Sequence, residues 1–161
     1  MERGRYVLAL LRISLGFIFV WAFFDKLFGL GFATQFGKAW INGVSPTFGF
    51  LKFGTTGPLA PIYQLIAGNI IVDVLFMLGL LLIGFSLLLG IATRLAGYSG
   101  ALLMFLLWTA LLLPETNPII DNHIIYLFLL ILLAQTDSGK TFGFGKSWEK
   151  TNLVKKLPFL K

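Results

Sequence analysis

The chain has no cysteine. That excludes disulfides, thiolate metal sites, iron–sulfur clusters and cysteine redox chemistry within it. It has one histidine, His123. A bis-histidine haem or a multi-histidine metal centre built from this chain alone is therefore excluded, and no metal or haem is expected of it. Charge is also scarce: charged residues make up 12% of the 161, against 57% apolar residues, and the mean hydropathy is +0.87. A soluble domain of that composition would present far too much apolar surface to water. The expected solvent is a lipid bilayer, and the length suits a single domain. The apolar runs lack the period-2 alternation of a membrane barrel, which leaves helices as the way to satisfy the backbone in lipid. There is no glycine-rich phosphate loop, nucleophile elbow or metal-ligand cluster.

What charge there is sums to +6. It gathers at the chain ends and in one loop, where anionic headgroups and membrane topology account for it, so no nucleic-acid partner is implied. The first apolar run begins almost at Met1, is long, and lacks a small-residue cleavage site after it. It reads as a retained helix rather than a cleaved signal peptide.

Four runs can span a hydrocarbon core of about 30 Å, which needs roughly 20 helical residues. They are Tyr6 to Phe28, Ile70 to Ile91, Leu95 to Leu113, and Ile119 to Ala134, the last short and extendable to 118–135. Asn117-Pro118 looks like a helix start, with Asn at the N-cap and Pro at the first helical position; Pro114 ends the helix before it. Ala96, Gly97, Gly100 and Ala101 make a small-residue face that lets a second helix approach closely. The segment from Gly29 to Asn69 is too apolar for a solvated loop, and short helices at the membrane surface are expected near Ala33–Ile41 and Leu59–Ala67. The predicted fold is thus an all-α membrane protein: a four-transmembrane-helix bundle over residues 1–137 with a long, partly helical first extracytoplasmic loop. Residues 138–161 form a basic, lipid-facing tail without a folding unit of its own. Arg3, Arg5, Arg94 and six tail lysines ending at Lys161 fall on one side. Lys26, Lys38 and Lys52 fall on the other with Asp25, Asp73, Glu115 and Asp121. The positive-inside rule then places a multi-pass protein in the plasma membrane with both termini cytoplasmic.

Ionisable residues in such helices are candidates for function, because burying them in lipid is costly. Asp25 and Lys26 end the first helix, Asp73 starts the second, and Asp121, Asn122, His123 and Tyr126 open the fourth. The bland reading puts the aspartates in the headgroup layer, makes Tyr126 an interfacial anchor and makes His123 a packing residue. The sharper reading notes that Asn122, His123 and Tyr126 share one helical arc, where an imidazole, a phenol and an amide can hydrogen-bond a quinone carbonyl and move protons. Two-residue spacing is expected to point Asp121 and His123 apart, so Asp121 would act on the imidazole only indirectly. Arg12 either snorkels to the cytoplasmic headgroups or faces inward to a carboxylate or ligand oxygen.

Three segments carry a resemblance: RISLGFIFVWAFFDKLF, LGLLLIGFSLLLGIATRLAG and NPIIDNHIIYLFLLILLAQTDSGKTFGFG. Together, in this order around a long first loop, they resemble the DoxX/DoxD family of four-helix membrane proteins. Within it the likeness is to the DoxD-type membrane subunit of thiosulfate:quinone oxidoreductase. It runs from about Arg12 to Phe144. Members often carry a glutamate directly after the glycine at Gly79, where this chain has Leu80; Asp73, seven residues earlier, lies on nearly the same helical face. The resemblance implies sulfur metabolism: electrons pass from extracytoplasmic thiosulfate, oxidised to tetrathionate, into membrane quinone, with a small DoxA-type partner subunit. His123, Asp121 and Tyr126 would then be catalytic. Lys26, Asp25, Asp73 and Arg12 would bind substrate, and quinone would be the acceptor or cofactor. The competing expectation is a non-catalytic membrane anchor or assembly subunit. The partners are lipid and quinone, with a homo-oligomer left open.

Overall fold

The computed structural model describes residues 2–114, 117 and 119–160. Glu115, Pro118, Lys161 and the side chain of Arg3, all used above, lie outside the described residues. The protein is all-helical: α1 Glu2–Phe28, α2 Ala60–Leu65, α3 Ile70–Leu89, α4 Thr93–Ala110, α5 Asn122–Gln135, α6 Gly145–Trp148 and α7 Asn152–Lys156, with short tight or wide helical turns between them.

Helix α1 shows why its sequence is apolar on every side. Arg12, Leu15, Phe19 and Phe23 repeat at three- and four-residue spacing and are buried, whereas Leu10, Phe17, Ile18 and Trp21 are exposed. A helix apolar all round belongs in a deep core or in lipid. Two helices, Gly4–Phe28 and Ile70–Leu89, are long and apolar enough to cross a membrane, and only 39% and 33% of their most apolar windows is buried by the protein. The core helix of a soluble protein would be mostly covered; these leave most of their apolar surface uncovered by the rest of the described chain.

Helices α1 and α3, α3 and α4, and α4 and α5 pack as neighbours. Glycine makes this possible. A Cβ on Gly97 would stand 2.6 Å from the Leu130 carbonyl oxygen and 2.7 Å from Ala134 Cβ. The small-residue face of α4 therefore meets α5, and Ala96, Gly97, Gly100 and Ala101 are all buried. Gly16 and Gly84 perform the same service between α1 and α3, where a Cβ would meet Leu88 N at 2.7 Å and Val20 N at 2.8 Å respectively. The shared core runs through Phe19, Met77, Leu80, Leu87, Met104, Leu130 and Leu133.

Helix boundaries follow local chemistry and differ from the sequence expectation in instructive places. Asn69 accepts from Ile71 N–H and starts α3; Gly90, at φ 70°, ends it. Helix α4 stops at Ala110 rather than near Leu113, because Thr56 N–H takes the Ala110 carbonyl and Thr56 forms a parallel bridge with Leu111. Asn117 does not cap the last long helix. Its side chain accepts from Ile119 and Ile120 N–H in a separate turn, and the N-cap is Asp121. Helix α5 is consequently 14 residues long, about 21 Å at 1.5 Å per residue.

The segment 29–69 folds down over one end of the bundle. Helix α2 forms where expected, after the left-handed Gly57. Near Ala33–Ile41 only the turn Trp40–Asn42 is helical, because Gly37 sits at φ 79° and breaks the run. Tyr63 hydroxyl pins α2 to the end of α4 through the Leu106 carbonyl at 3.0 Å and Thr109 Oγ1 at 2.5 Å. The tail has more structure than its lysines suggested. Thr151 caps α7, Val154 is buried, and Trp148 Nε1–H donates to the Leu160 carbonyl at 2.6 Å.

Candidate functional site

Chain direction places the end of α1 and the starts of α3 and α5 together, at what is here termed the acidic end. The opposite, arginine end holds Arg12, the α3–α4 turn and the tail.

At the acidic end Asp25 and Asp73 are buried, at 1% and 2% exposure. Both hold down the segment that covers them. Asp25 Oδ1 accepts from Phe32 N–H at 3.2 Å and Oδ2 from Thr34 N–H at 2.7 Å. Asp73 Oδ1 accepts from Ser45 Oγ at 2.8 Å and Thr47 Oγ1 at 2.5 Å. Carboxylates met by two donors each are well compensated for leaving water. Asp73 and Leu80 share the inward face of α3 as expected, and both are buried. Ser45 and Thr47 went unnoticed in the sequence; two hydroxyls in an apolar loop carry no signal until the chain brings them to Asp73.

Asp121 and His123 behave differently. They were expected to point apart, yet His123 Nδ1 lies 2.6 Å from Asp121 Oδ2. The expectation failed because it treated Asp121 as helical. Asp121 is the N-cap, with extended backbone at φ −123° and ψ −173°, so its side chain turns back over the first turn. Oδ1 accepts from His123 N–H at 3.0 Å and Ile124 N–H at 3.2 Å, leaving Oδ2 for the imidazole. One aspartate thus caps the helix and orients the histidine. A carboxylate on Nδ1 selects the tautomer with the proton there and leaves Nε2 for a ligand. The pair is partly open, at 27% side-chain exposure for His123 and 15% for Asp121. Tyr126 lies one turn further along, partly buried against the core, while Ile125 and Phe128 face outward. Lys26, beside Asp25 in sequence, is half-buried.

Arg12 is not with this group. It is fully buried at the other end, and backbone oxygens surround it. Nη1 donates to the carbonyls of Leu87 and, at 3.1 Å, Leu88; Nη2 donates to Thr141 at 3.0 Å and Phe142 at 2.9 Å. The guanidinium closes the end of α3, whose last carbonyls have no helical donors, and ties it to the chain beyond α5. Glycines crowd around it: a Cβ on Gly90 would stand 3.0 Å from Nη1, and one on Gly143 3.1 Å from Nη2. Among the described residues no group of three or more His, Asp and Glu could hold a metal ion.

No family model, curated protein or solved structure matches the chain. The chemistry of the site therefore rests on its own geometry.

Proposed function

We propose that the protein is a four-span membrane subunit of an oxidoreductase, passing electrons from an extracytoplasmic sulfur donor to quinone, as its resemblance to DoxD-type proteins implies. The observation that carries this reading is the 2.6 Å contact between His123 and Asp121, a pair partly open at the start of α5. A partly open hydrogen-bonding pair at the end of an apolar bundle suits a hydrophobic substrate with two polar oxygens. The oxygens of a quinone become more basic on reduction. Once it has taken up a second proton at Nε2, His123 would donate it to one of them while Nδ1–H stays on Asp121, and Tyr126 hydroxyl would serve the other. Two thiosulfates joined by a new S–S bond release two electrons; with two protons these convert the quinone to quinol. Lys26 would attract the anionic donor, Asp25 would balance its charge, and a DoxA-type partner would bring the donor in. Asp73 and Arg12 would act at a distance, by holding the loop and the helix ends.

The charge distribution supports the topology. Arg94, Lys140, Lys146 and Lys150 lie at the arginine end, and Lys38 and Lys52 lie in the segment over the acidic end. The arginine end, with both termini, would be cytoplasmic in the plasma membrane. Helices α4 and α5 would complete the four spans.

The anchor reading has one observation in its favour: Asp25, Asp73 and Arg12 are all engaged by the protein itself. Turnover separates the two. With thiosulfate, a soluble quinone analogue and the partner subunit, His123→Ala is expected to lower quinone reduction by roughly ten- to a thousand-fold. A folded His123→Ala protein that turns over at the wild-type rate removes the histidine from the mechanism and leaves the anchor.

A further inference from the structure

At the arginine end lies a pocket of about 380 Å³. The α3–α4 turn, the last turn of α5 and tail helix α6 form its walls. Its charged lining is Arg94, Lys140, Asp137 and Glu149, two positive and two negative groups, so it is formally neutral. The charges are not interchangeable. Lys140 Nζ is held by Asp137 Oδ1 at 3.0 Å and by Glu149 Oε1 at 3.1 Å. Arg94 makes no ion pair among the described residues and is exposed. The pocket therefore offers one uncommitted guanidinium and a pair of carboxylates with spare lone pairs. A simple anion would satisfy the first and be repelled by the second; a zwitterion satisfies both.

Two aromatic residues, Tyr98 and Trp148, also line it. Residues of this kind favour headgroup depth. Tyr98 also belongs to an exposed stripe along α4, with Leu95, Leu102 and Phe105 at three- and four-residue spacing. The stripe leads from the pocket along the outer face of the helix. The pocket's size, near the lower end of the range of about 300–1,000 Å³ for small-molecule sites, suits a headgroup and not a whole lipid.

We propose that this pocket binds the headgroup of a phospholipid carrying a primary amine. The phosphate lies on Arg94, the ammonium lies on the Asp137 and Glu149 carboxylates, and an acyl chain lies along Tyr98, Leu102 and Phe105. Guanidinium forks match phosphate oxygens, and an ammonium donates three hydrogen bonds where a quaternary amine donates none. The site rests on the membrane reading of the chain and is independent of its redox chemistry. It gives the tail a lipid-dependent dock, because Lys140, Trp148 and Glu149 belong to that tail.

The test is native mass spectrometry of the full chain, extracted from membranes of defined composition and stripped of bulk lipid. Wild-type protein is expected to retain one phosphatidylethanolamine about tenfold better than phosphatidylcholine, a difference of about 1.4 kcal/mol. Arg94→Gln is expected to lose about tenfold in retention of either lipid. Arg94→Lys, which keeps the charge that orients the chain, is expected to lose about threefold. Glu149→Gln should erase most of the amine preference. Equal retention by wild type and Arg94→Gln, or equal retention of the two lipids, overturns the proposal. Displacement by millimolar inorganic phosphate also overturns it, since the site would then serve a free anion. Retention of lipid that ignores these residues leaves the membrane reading intact; a chain that carries no lipid from the membrane fails both.

Discussion

At the arginine end a single cation is wrapped by backbone oxygens; at the acidic end three aspartates are met by N–H and hydroxyl donors. Arg12 reaches residues more than seventy positions away, Leu87 and Leu88, and others about 130 away, Thr141 and Phe142. Asp25 reaches seven and nine positions along, Asp121 only two and three, and Asp73 under thirty back. The arginine therefore joins elements that nothing local would bring together, whereas the aspartates fasten neighbouring chain to helix ends. Beside Arg12 Gly90 and Gly143 leave no room for a Cβ, and Gly139 and Gly145 pack as tightly against Gly90. Around His123 and Asp121 the packing stays partly open. The comparison separates polar groups that hold the fold from the pair left partly open.

Substitution can break the comparison at either end. The largest effect is expected for Arg12→Met, which leaves four carbonyl oxygens without donors. Buried unpaired acceptors cost about 1–3 kcal/mol each before relaxation, so a fall of about 10 °C in melting temperature in detergent is expected. An Arg12→Met variant that melts with wild type would show that water or the helix end itself replaces the guanidinium.

A smaller loss is expected for Asp25→Asn. An amide can accept from one of Phe32 and Thr34 but sets a second N–H against the other. The cost of one lost bond and one stranded donor is about 1–3 kcal/mol, or a few degrees. Thermal melts of the two variants side by side sharpen the contrast. Equal losses would mean that the covering segment is as integral to stability as the Arg12 cluster.

The smallest effect belongs to Lys140. Its hydrogen bond to Asp137, followed by that to Glu149, raises its pKa above the usual lysine value. A folded-state pKa that is raised contributes stability below the unfolded value, about 10.4, and loses it as pH rises through the higher folded one. The melting temperatures of wild type and Lys140→Met should therefore differ by about a degree at pH 8, as for other partly exposed ion pairs. The difference should vanish once the pH has risen through that raised value. A gap that persists unchanged into strong alkali would assign it to packing of the lysine stem.

Much of this architecture was legible in the residues. The apolar runs located α1 and α3, and the small residues from Ala96 to Ala101 announced a close helix partner, found to be α5. Asp73 and Leu80 fell on one inward face by spacing alone. Three features were hidden, each for a physical reason. The partners of Arg12 are backbone carbonyls, which every residue carries and which no side-chain pattern marks. The Asp121–His123 contact depended on where α5 begins: a cap at Asn117 puts both residues inside a helix, and a cap at Asp121 folds its carboxylate back onto the ring. The irregular course of residues 29–43 depended on glycines at positive φ, which the composition shows but whose conformations it does not. The arginine-end pocket needed the tail to return, and a lysine-rich tail reads as solvated until Trp148 and Val154 are seen packed.

The Arg12 cluster has a bearing on how the chain is assembled. Helix α1 leaves the ribosome before α3 and α5, and the last of its guanidinium's acceptors, Phe142, is made some 130 residues after Arg12. Until then the arginine has neither α3's final carbonyls nor the segment after α5, and its long side chain must find headgroups or water instead. Settling α1 at its final depth is therefore coupled to completion of α5 and the turn beyond it. Phe142 itself adopts φ 51°, a conformation costly for a bulky residue outside a surrounding structure that enforces it. An early and a late part of the nascent chain thus complete each other's hydrogen bonds, and a chain that stops short of Thr141 keeps a charge without its partners.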